Sequence, residues 1–177
     1  VDRDELMSTR MSGSEEALAT LTAERLGDRS RQRWLIGDYG MGFTLRAALR
    51  SLPADARVTV AELVPEILDW ARGPMADLTA GGLDDPRTAI HRGDVADAIR
   101  QGGWDAILLD VDNGPDALVR TQNQWLYGPD GLAVTRAALK PGGLLAIWSA
   151  FPDARFTRTL NNAGFRVEEQ VVRARSN

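Results

Sequence analysis

Glu62, Asp94, Asp110 and Asp112 each close or closely follow a short run with the character of a β-strand. In an open α/β sheet the C-terminal ends of the strands form the ligand crevice, so acids far apart in sequence converge there. Glu62, at the end of the second such run, is the one placed to accept hydrogen bonds from the hydroxyls of a ribose. The competing reading for any single one of these acids is a solvated loop residue or a helix cap; their combined placement carries the inference. A second signal is the run Gly37-Asp38-Tyr39-Gly40-Met41-Gly42, which follows Arg33-Trp34-Leu35-Ile36 and precedes a helical stretch. Glycines remove the Cβ atoms that would keep backbone N–H groups away from a ligand, so strand, turn and helix start together point to a nucleotide-like cofactor. The spacing is G-x-x-G-x-G and not the G-x-G-x-x-G that seats a pyrophosphate, which disfavours NAD. No G-x-x-x-x-G-K-[ST] run is present, which argues against an ATP-type phosphate loop.

The elements that must position these residues alternate along the chain. A short amphipathic helix over residues 17–26, with a serine before it as cap, is broken by Gly27-Asp28-Arg29-Ser30. Strands are expected at 33–37, 57–62, 88–91, 104–110, 144–149 and 165–172. Helices are expected at 42–52, 66–78, 95–100, 116–125, 129–139 and 153–163. Pro65 suits the first turn of its helix, where the missing N–H is not needed. Strands separated by helices of this size imply an α/β fold: a three-layer sandwich whose mostly parallel sheet carries helices on both faces. The 177 residues, 44% of them hydrophobic, suffice for one domain with a sizeable core. Residues 1–30 read as a helical lead-in and 31–177 as the cofactor-binding domain.

Composition narrows the chemistry further. The net charge of −4, from 25 acidic and 21 basic residues, argues against nucleic acid as the main partner. Without cysteine there are no disulfides, thiolate nucleophiles or cysteine-bound zinc, and a single histidine excludes a multi-histidine metal site within one chain; no metal is expected. Neither an 18-residue apolar stretch nor a secretory leader is visible, so a cytoplasmic protein without a membrane partner is expected.

Five segments resemble one superfamily. They are Leu35-Ile36-Gly37-Asp38-Tyr39-Gly40-Met41-Gly42-Phe43-Thr44-Leu45-Arg46, Val60-Ala61-Glu62-Leu63, Gly93-Asp94-Val95, Ile107-Leu108-Leu109-Asp110-Val111-Asp112 and Leu139-Lys140-Pro141-Gly142-Gly143. Together they are similar to the S-adenosylmethionine-dependent methyltransferase superfamily with its Rossmann-like fold, and more narrowly to its spermidine-synthase-like branch. The resemblance covers residues 6–172. It implies that Gly37, Gly40 and Gly42 border the methionine portion and ribose of the donor, that Glu62 binds the ribose diol, and that Leu63 lies beside the adenine. It further implies that Asp94 and Val95 bound the adenine edge and that Asp110 faces the amine end of the ligand. The implied cofactor is S-adenosylmethionine or its decarboxylated form, the acceptor a small molecule such as a polyamine, and the assembly a homodimer. Asp38, inside the glycine turn, would repel a donor carboxylate if it points inward, favouring the decarboxylated ligand.

The chain departs from the branch where the chemistry lies. Polyamine-making enzymes carry two acids separated by two residues, whereas Asn113 stands near the second position in Asp110-Val111-Asp112-Asn113-Gly114-Pro115-Asp116. An amide accepts a hydrogen bond but is not a comparable base, so Asp112 would have to serve beside Asp110. Those enzymes also have a β-rich segment ahead of the first Rossmann strand, which the residues before Arg33 are too few to supply. Methyl transfer is the second reading, and a noncatalytic nucleoside-binding or oligomeric interaction protein the third. His91 reads as packing at the pocket edge, Tyr39 as a ligand cover or a packing residue, Trp125-Leu126-Tyr127 as core or dimer surface, and Trp148 as core.

Overall fold

In the computed structural model, residues 12–110, 125–149 and 151–172 are described. The described elements are α1 (Ser12–Leu26), β1 (Arg33–Gly37), α2 (Phe43–Ser51), β2 (Arg57–Glu62), α3 (Pro65–Arg72), α4 (Ala76–Thr79), β3 (Thr88–Arg92), α5 (Val95–Arg100), β4 (Trp104–Leu109), α6 (Pro129–Ala138), β5 (Leu139–Ile147) and α7 (Ala154–Asn162). The five strands form one sheet in the order β3-β2-β1-β4-β5, with every pairing parallel. β1 is central, and Gly37 lies level with Ala61 of β2 and Leu109 of β4.

Strand alternation builds the layers. Trp34 and Ile36 of β1, Val58 and Val60 of β2, and Ala106 and Leu108 of β4 share one buried cluster with Ala19 and Leu26 of α1, Leu45 and Ala48 of α2, and Leu68 of α3. Their neighbours Leu35, Ala61, Ile107 and Leu109 join the opposite cluster with Ile99 of α5, Leu126, Tyr127 and Ala138. All six residues of β4 are buried, as a strand covered on both faces requires. This is the three-layer α/β sandwich expected from the sequence.

Four elements differ from expectation: the helix expected over 17–26 behind a serine cap begins at Ser12, so Ser14 lies within α1 and does not cap it, and three others depart as follows. The helix expected over 66–78 is two helices, because Gly73 closes α3 by donating to Asp69 O and Trp70 O at 3.0 and 3.1 Å, and Pro74 cannot continue it. β5 begins at Leu139 and not at residue 144: Trp104 pairs with Leu139 and Ala106 with Leu144, so Lys140-Pro141-Gly142-Gly143 is a bulge inside the strand rather than a turn before it. Lys140 Nζ anchors this bulge to Asp105 Oδ2 at 2.6 Å, and Asp105 Oδ2 also accepts from Arg33 N at 2.8 Å.

The strand expected at 165–172 is not a strand. Phe165 and Val167 are half-buried and Arg166 and Glu168 exposed, but among the described residues the backbone pairs with no neighbouring strand. Side chains hold the segment instead, through the Arg25–Glu168 ion pair to α1 and the bond from Thr157 Oγ1 to Glu169 Oε1 to α7. The helix expected at 116–125 lies almost wholly outside the described residues. Trp125, Leu126 and Tyr127 pack in the core, and Trp148 is half-buried just beyond β5.

Gly131 shows how closely α6 follows the preceding turn. A Cβ there would stand 2.2 Å from Trp125 O and 2.8 Å from Leu126 O. Gly131→Ala is therefore expected to lower stability by about 3 kcal/mol in urea unfolding; a loss under about 0.5 kcal/mol, the level of an ordinary surface change, would contradict this packing.

Candidate functional site

The turn after β1 is shaped by three residues of positive φ: Asp38 at 74°, Gly40 at 53° and Gly42 at 76°. Asp38 N continues the ladder to Ala61 O at 2.9 Å, and Gly42 N closes the turn on Tyr39 O at 2.9 Å. Tyr39 is buried and folds back so that a Cβ on Gly42 would meet its Oη at 2.7 Å, whereas a Cβ on Gly40 would meet nothing within 4 Å. Tyr39 is thus a packing residue under the turn, and the space beside Gly40 is open.

Glu62 holds this turn in place. It is 3% exposed, its Oε2 accepts from Tyr39 N at 3.1 Å, and its Oε1 accepts from Val64 N at 2.7 Å. The carboxyl of Asp38 is held above its ordinary range in part by this neighbour. Leu63, the next residue, is 48% exposed and presents an apolar surface just past the end of β2. Asp94 caps α5 by accepting from Ala96 N at 2.8 Å, with Val95 opening the helix, so this acid has a structural bond of its own. Asp110 follows β4 and is half-buried. Asp112 lies outside the described residues. Given the strand order, Asp94, Glu62, Asp38 and Asp110 form a row along one edge of the sheet, after β3, β2, β1 and β4.

A fifth acid was not foreseen. Glu15 lies on the stripe of α1 that also carries the buried Ala19, Thr22 and Leu26, four, seven and eleven residues on. Its carboxyl is pushed up to about 7, first by burial, then by the charge of Asp110, then by Glu16. Glu16 is itself tied to Arg46 at 2.8 Å and Arg50 at 3.0 Å. The readable signal was a carboxylate at a core-facing position of an amphipathic helix. Burial likewise pushes Asp110 up to about 6. Asp38 rises to about 8, chiefly through burial, then through the neighbouring Glu62 and the charge of Asp110, against the opposing pull of the Gly40 N–H.

His91 closes in beneath Gly93, where a Cβ would stand 3.4 Å from its Nε2, and among the described residues that buried nitrogen has no hydrogen-bond partner. Among the described residues, no three His, Cys, Asp or Glu side chains are grouped to hold a metal ion, and no helix is long and apolar enough to cross a membrane. Chemically, the row offers a buried acceptor for hydroxyls at Glu62 and an acidic end, made by Glu15, Asp38 and Asp110, suited to a cation.

The fold and this crevice define a Rossmann-like fold of the S-adenosylmethionine-binding kind. Comparison with known proteins relates the chain to the superfamily of spermidine synthases and methyltransferases, without singling out one branch. A polyamine aminopropyltransferase of Mycobacterium tuberculosis is 29% identical over 159 residues, which are 84% of this chain and 29% of that protein. Its counterpart in Nitrosomonas europaea is 33% identical over 134 residues, 75% of this chain and 39% of that protein. The crystal structure of spermidine synthase from Thermotoga maritima superposes with a TM-score of 0.66 at 21% identity, covering 86% of this chain and 51% of that one. The chain thus spans well under half the length of these curated relatives. No family model matches it.

Two outcomes follow from this geometry. Unfolded, the Asp38 and Asp110 carboxyls ionise at their ordinary 3.8 and Glu15 at 4.5, while the folded groups keep their protons to about 8, 6 and 7. The folded state therefore binds more protons between roughly pH 4 and 8, and stability must fall as pH rises through that window. Urea midpoints measured from pH 5 to 8 should decline, less steeply in Glu15→Gln; a rise with pH in the native protein would refute the assignment. Second, Gly42→Ala should cost about 3 kcal/mol, from its positive φ and the Tyr39 contact together, and Gly40→Ala only about 1 kcal/mol. Equal losses in thermal unfolding would show that the Tyr39 contact is not maintained.

Proposed function

We propose that this chain is a spermidine-synthase-like transferase that moves an aminopropyl group from decarboxylated S-adenosylmethionine to a small cationic amine. The observation that carries the reading is the row of acids after the strands: one buried carboxylate, Glu62, beside the half-exposed Leu63, followed by Asp38 and then Asp110, whose charge also reaches Glu15. In this reading Glu62 takes the ribose diol, Leu63, Asp94 and Val95 border the adenine, and Gly37, Gly40 and Gly42 leave room for the rest of the donor. Asp38 disfavours a donor carboxylate by charge once ionised, which selects the decarboxylated form.

The acceptor amine attacks the carbon attached to the sulfonium sulfur. The C–S bond breaks with its electron pair passing to sulfur, and methylthioadenosine leaves as a neutral thioether. The amine must arrive neutral, so a proton must pass to a base. Asp110, ionised above about pH 6, is that base, with Asp112 as the second acid of the pair. The acidic end also draws in a cationic amine from solution.

Calorimetry of S-adenosylmethionine, its decarboxylated form and methylthioadenosine tests this directly. The decarboxylated donor should bind at least tenfold more tightly than the intact one, about 1.4 kcal/mol, and Glu62→Ala should weaken all three. Preference for the intact donor would transfer the case to methyl transfer. Absence of binding by all three would overturn the cofactor assignment.

A further inference from the structure

Because every strand runs the same way, the strand starts lie along one edge of the sheet, opposite the crevice. Four exposed arginines stand there: Arg33 and Arg57 as the first residues of β1 and β2, and Arg29 and Arg31 in the loop before β1. Arg33 and Arg57 are register partners on strands about 4.8 Å apart, and like charges placed directly opposite are destabilising. Arg31 adds a φ of 54°, uncommon for a residue with a side chain. Among the described residues none of the four has a carboxylate partner. Asp28 and Asp55 share their loops without pairing with them, Asp85 is taken by Arg87, and Asp105 by Lys140. Helix C-termini favour cations, but none of the four lies in the last turn of a helix. Their placement is rigid. Buried Gln32 donates from Nε2 to Gly27 O at 2.9 Å and Arg29 O at 3.1 Å, and accepts from Trp34 Nε1 at 2.8 Å, which fixes the loop. Arg29, Arg33 and Arg57 each engage backbone carbonyls through Nη1 alone, which leaves most of each five-donor guanidinium for a ligand.

We propose that this edge is a docking surface for the phosphate backbone of an RNA duplex, separate from the crevice and independent of the adenosyl reading. Guanidinium groups meet phosphate oxygens two at a time, and a row of them along a sheet edge follows successive phosphates without entering a groove. Among the described residues the exposed large apolar side chains are Leu63, Val64, Trp70, Phe151, Val171 and Val172, all outside these loops. The edge therefore has no ring on which an unpaired base stacks, and no apolar anchor for a peptide or a lipid layer. A duplex backbone needs neither. An A-form duplex presents phosphates and 2′-hydroxyls on a wide, shallow face, and the exposed Ser30, between Arg29 and Arg31, brings a hydroxyl to meet the latter. The net charge of −4 does not oppose such binding, because Glu62, Asp38, Asp94 and Asp110 gather at the other edge of the sheet.

The test is fluorescence anisotropy of a labelled RNA duplex of about 16 base pairs, titrated with protein between about 50 and 200 mM salt. Native protein should bind whatever the sequence, with log K falling against log salt at a slope of about −3, as contact with three or four phosphates requires. The double variant Arg31→Asn/Arg57→Gln should lose about tenfold in affinity and flatten the slope by about 2. Asparagine suits the positive φ, and one of two facing charges is gone, so this variant should unfold at no lower urea concentration than the native protein. Arg92→Gln/Arg155→Gln removes the same charge from exposed positions at the crevice edge, the end of β3 and the start of α7, and should leave affinity and slope unchanged. A DNA duplex of equal length should bind more weakly than RNA. No binding at about 50 mM salt, or equal losses from the two double variants, overturns the surface. DNA bound as tightly as RNA overturns the choice of RNA. Polyglutamate or phosphatidylserine vesicles bound more tightly than the duplex would assign the edge to another anion and overturn the proposal as well.

Discussion

A carboxylate almost closed off from solvent at the end of β2 organises the crevice. Where parallel strands stop, the backbone N–H groups of the loops beyond them lose their ladder partners, and buried donors left unpaired are costly. Glu62 satisfies two of them, one in the turn after β1 and one at the entry to α3, and so binds two loops to a single point. The positive φ of Asp38, Gly40 and Gly42, the burial of Tyr39 and the open space beside Gly40 all describe a turn held from that point. Asp105 performs the matching task at the opposite end of the sheet, where it joins the start of β1 to the bulge in β5. The sheet is thus clamped by a buried acid at each end, and the end that faces the crevice has acceptor capacity to spare.

The distribution of charge around that crevice is uneven in a way that suits a cation. Glu16 is neutralised by two arginines of α2, while its neighbour Glu15 has no such partner among the described residues and feels Asp110 instead. Two adjacent residues of one helix are thus divided between a structural ion pair and a half-buried acid raised by the charge of Asp110. The same division holds on the strand side, where Asp94 spends its side chain on capping α5 and Asp110 makes no comparable bond to a helix start among the described residues. Identical residue types thus take different tasks according to which backbone donors stand within reach.

Much of this was legible in the sequence because period and punctuation agreed. β1, β2 and α5 have the bounds that their apolar runs and flanking turns indicate, and Pro65 opens its helix as its chemistry requires. What escaped were features decided by tertiary contact. Pro141-Gly142-Gly143 has the composition of a turn, and only the pairing with β4 on both sides of it makes it a bulge. Residues 165–172 alternate like a strand, yet alternation specifies which side chains are covered, not which backbone stands alongside. Glu15 could be recognised as out of place on an apolar stripe, but not that β4 would bring Asp110 against it. Asp38 was visible as a charge within a glycine turn, while its placement beside Glu62 depended on a φ that few residues other than glycine adopt.

The central position of β1 bears on how the chain reaches this state. Its pairing with β2 needs only the short α2 crossover, but its pairing with β4 brings together Arg33 and Asp105, 72 positions apart. Closing so long a loop carries an entropic cost that no local contact offsets, so pairings of this kind form late and slowly. The β1–α2–β2 unit forms first in such a topology, and arrival of β4 is the step that completes both faces of the core. Until then the far side of β1 remains an unpaired strand edge, the surface through which a nascent chain of this fold is most exposed to association with its neighbours.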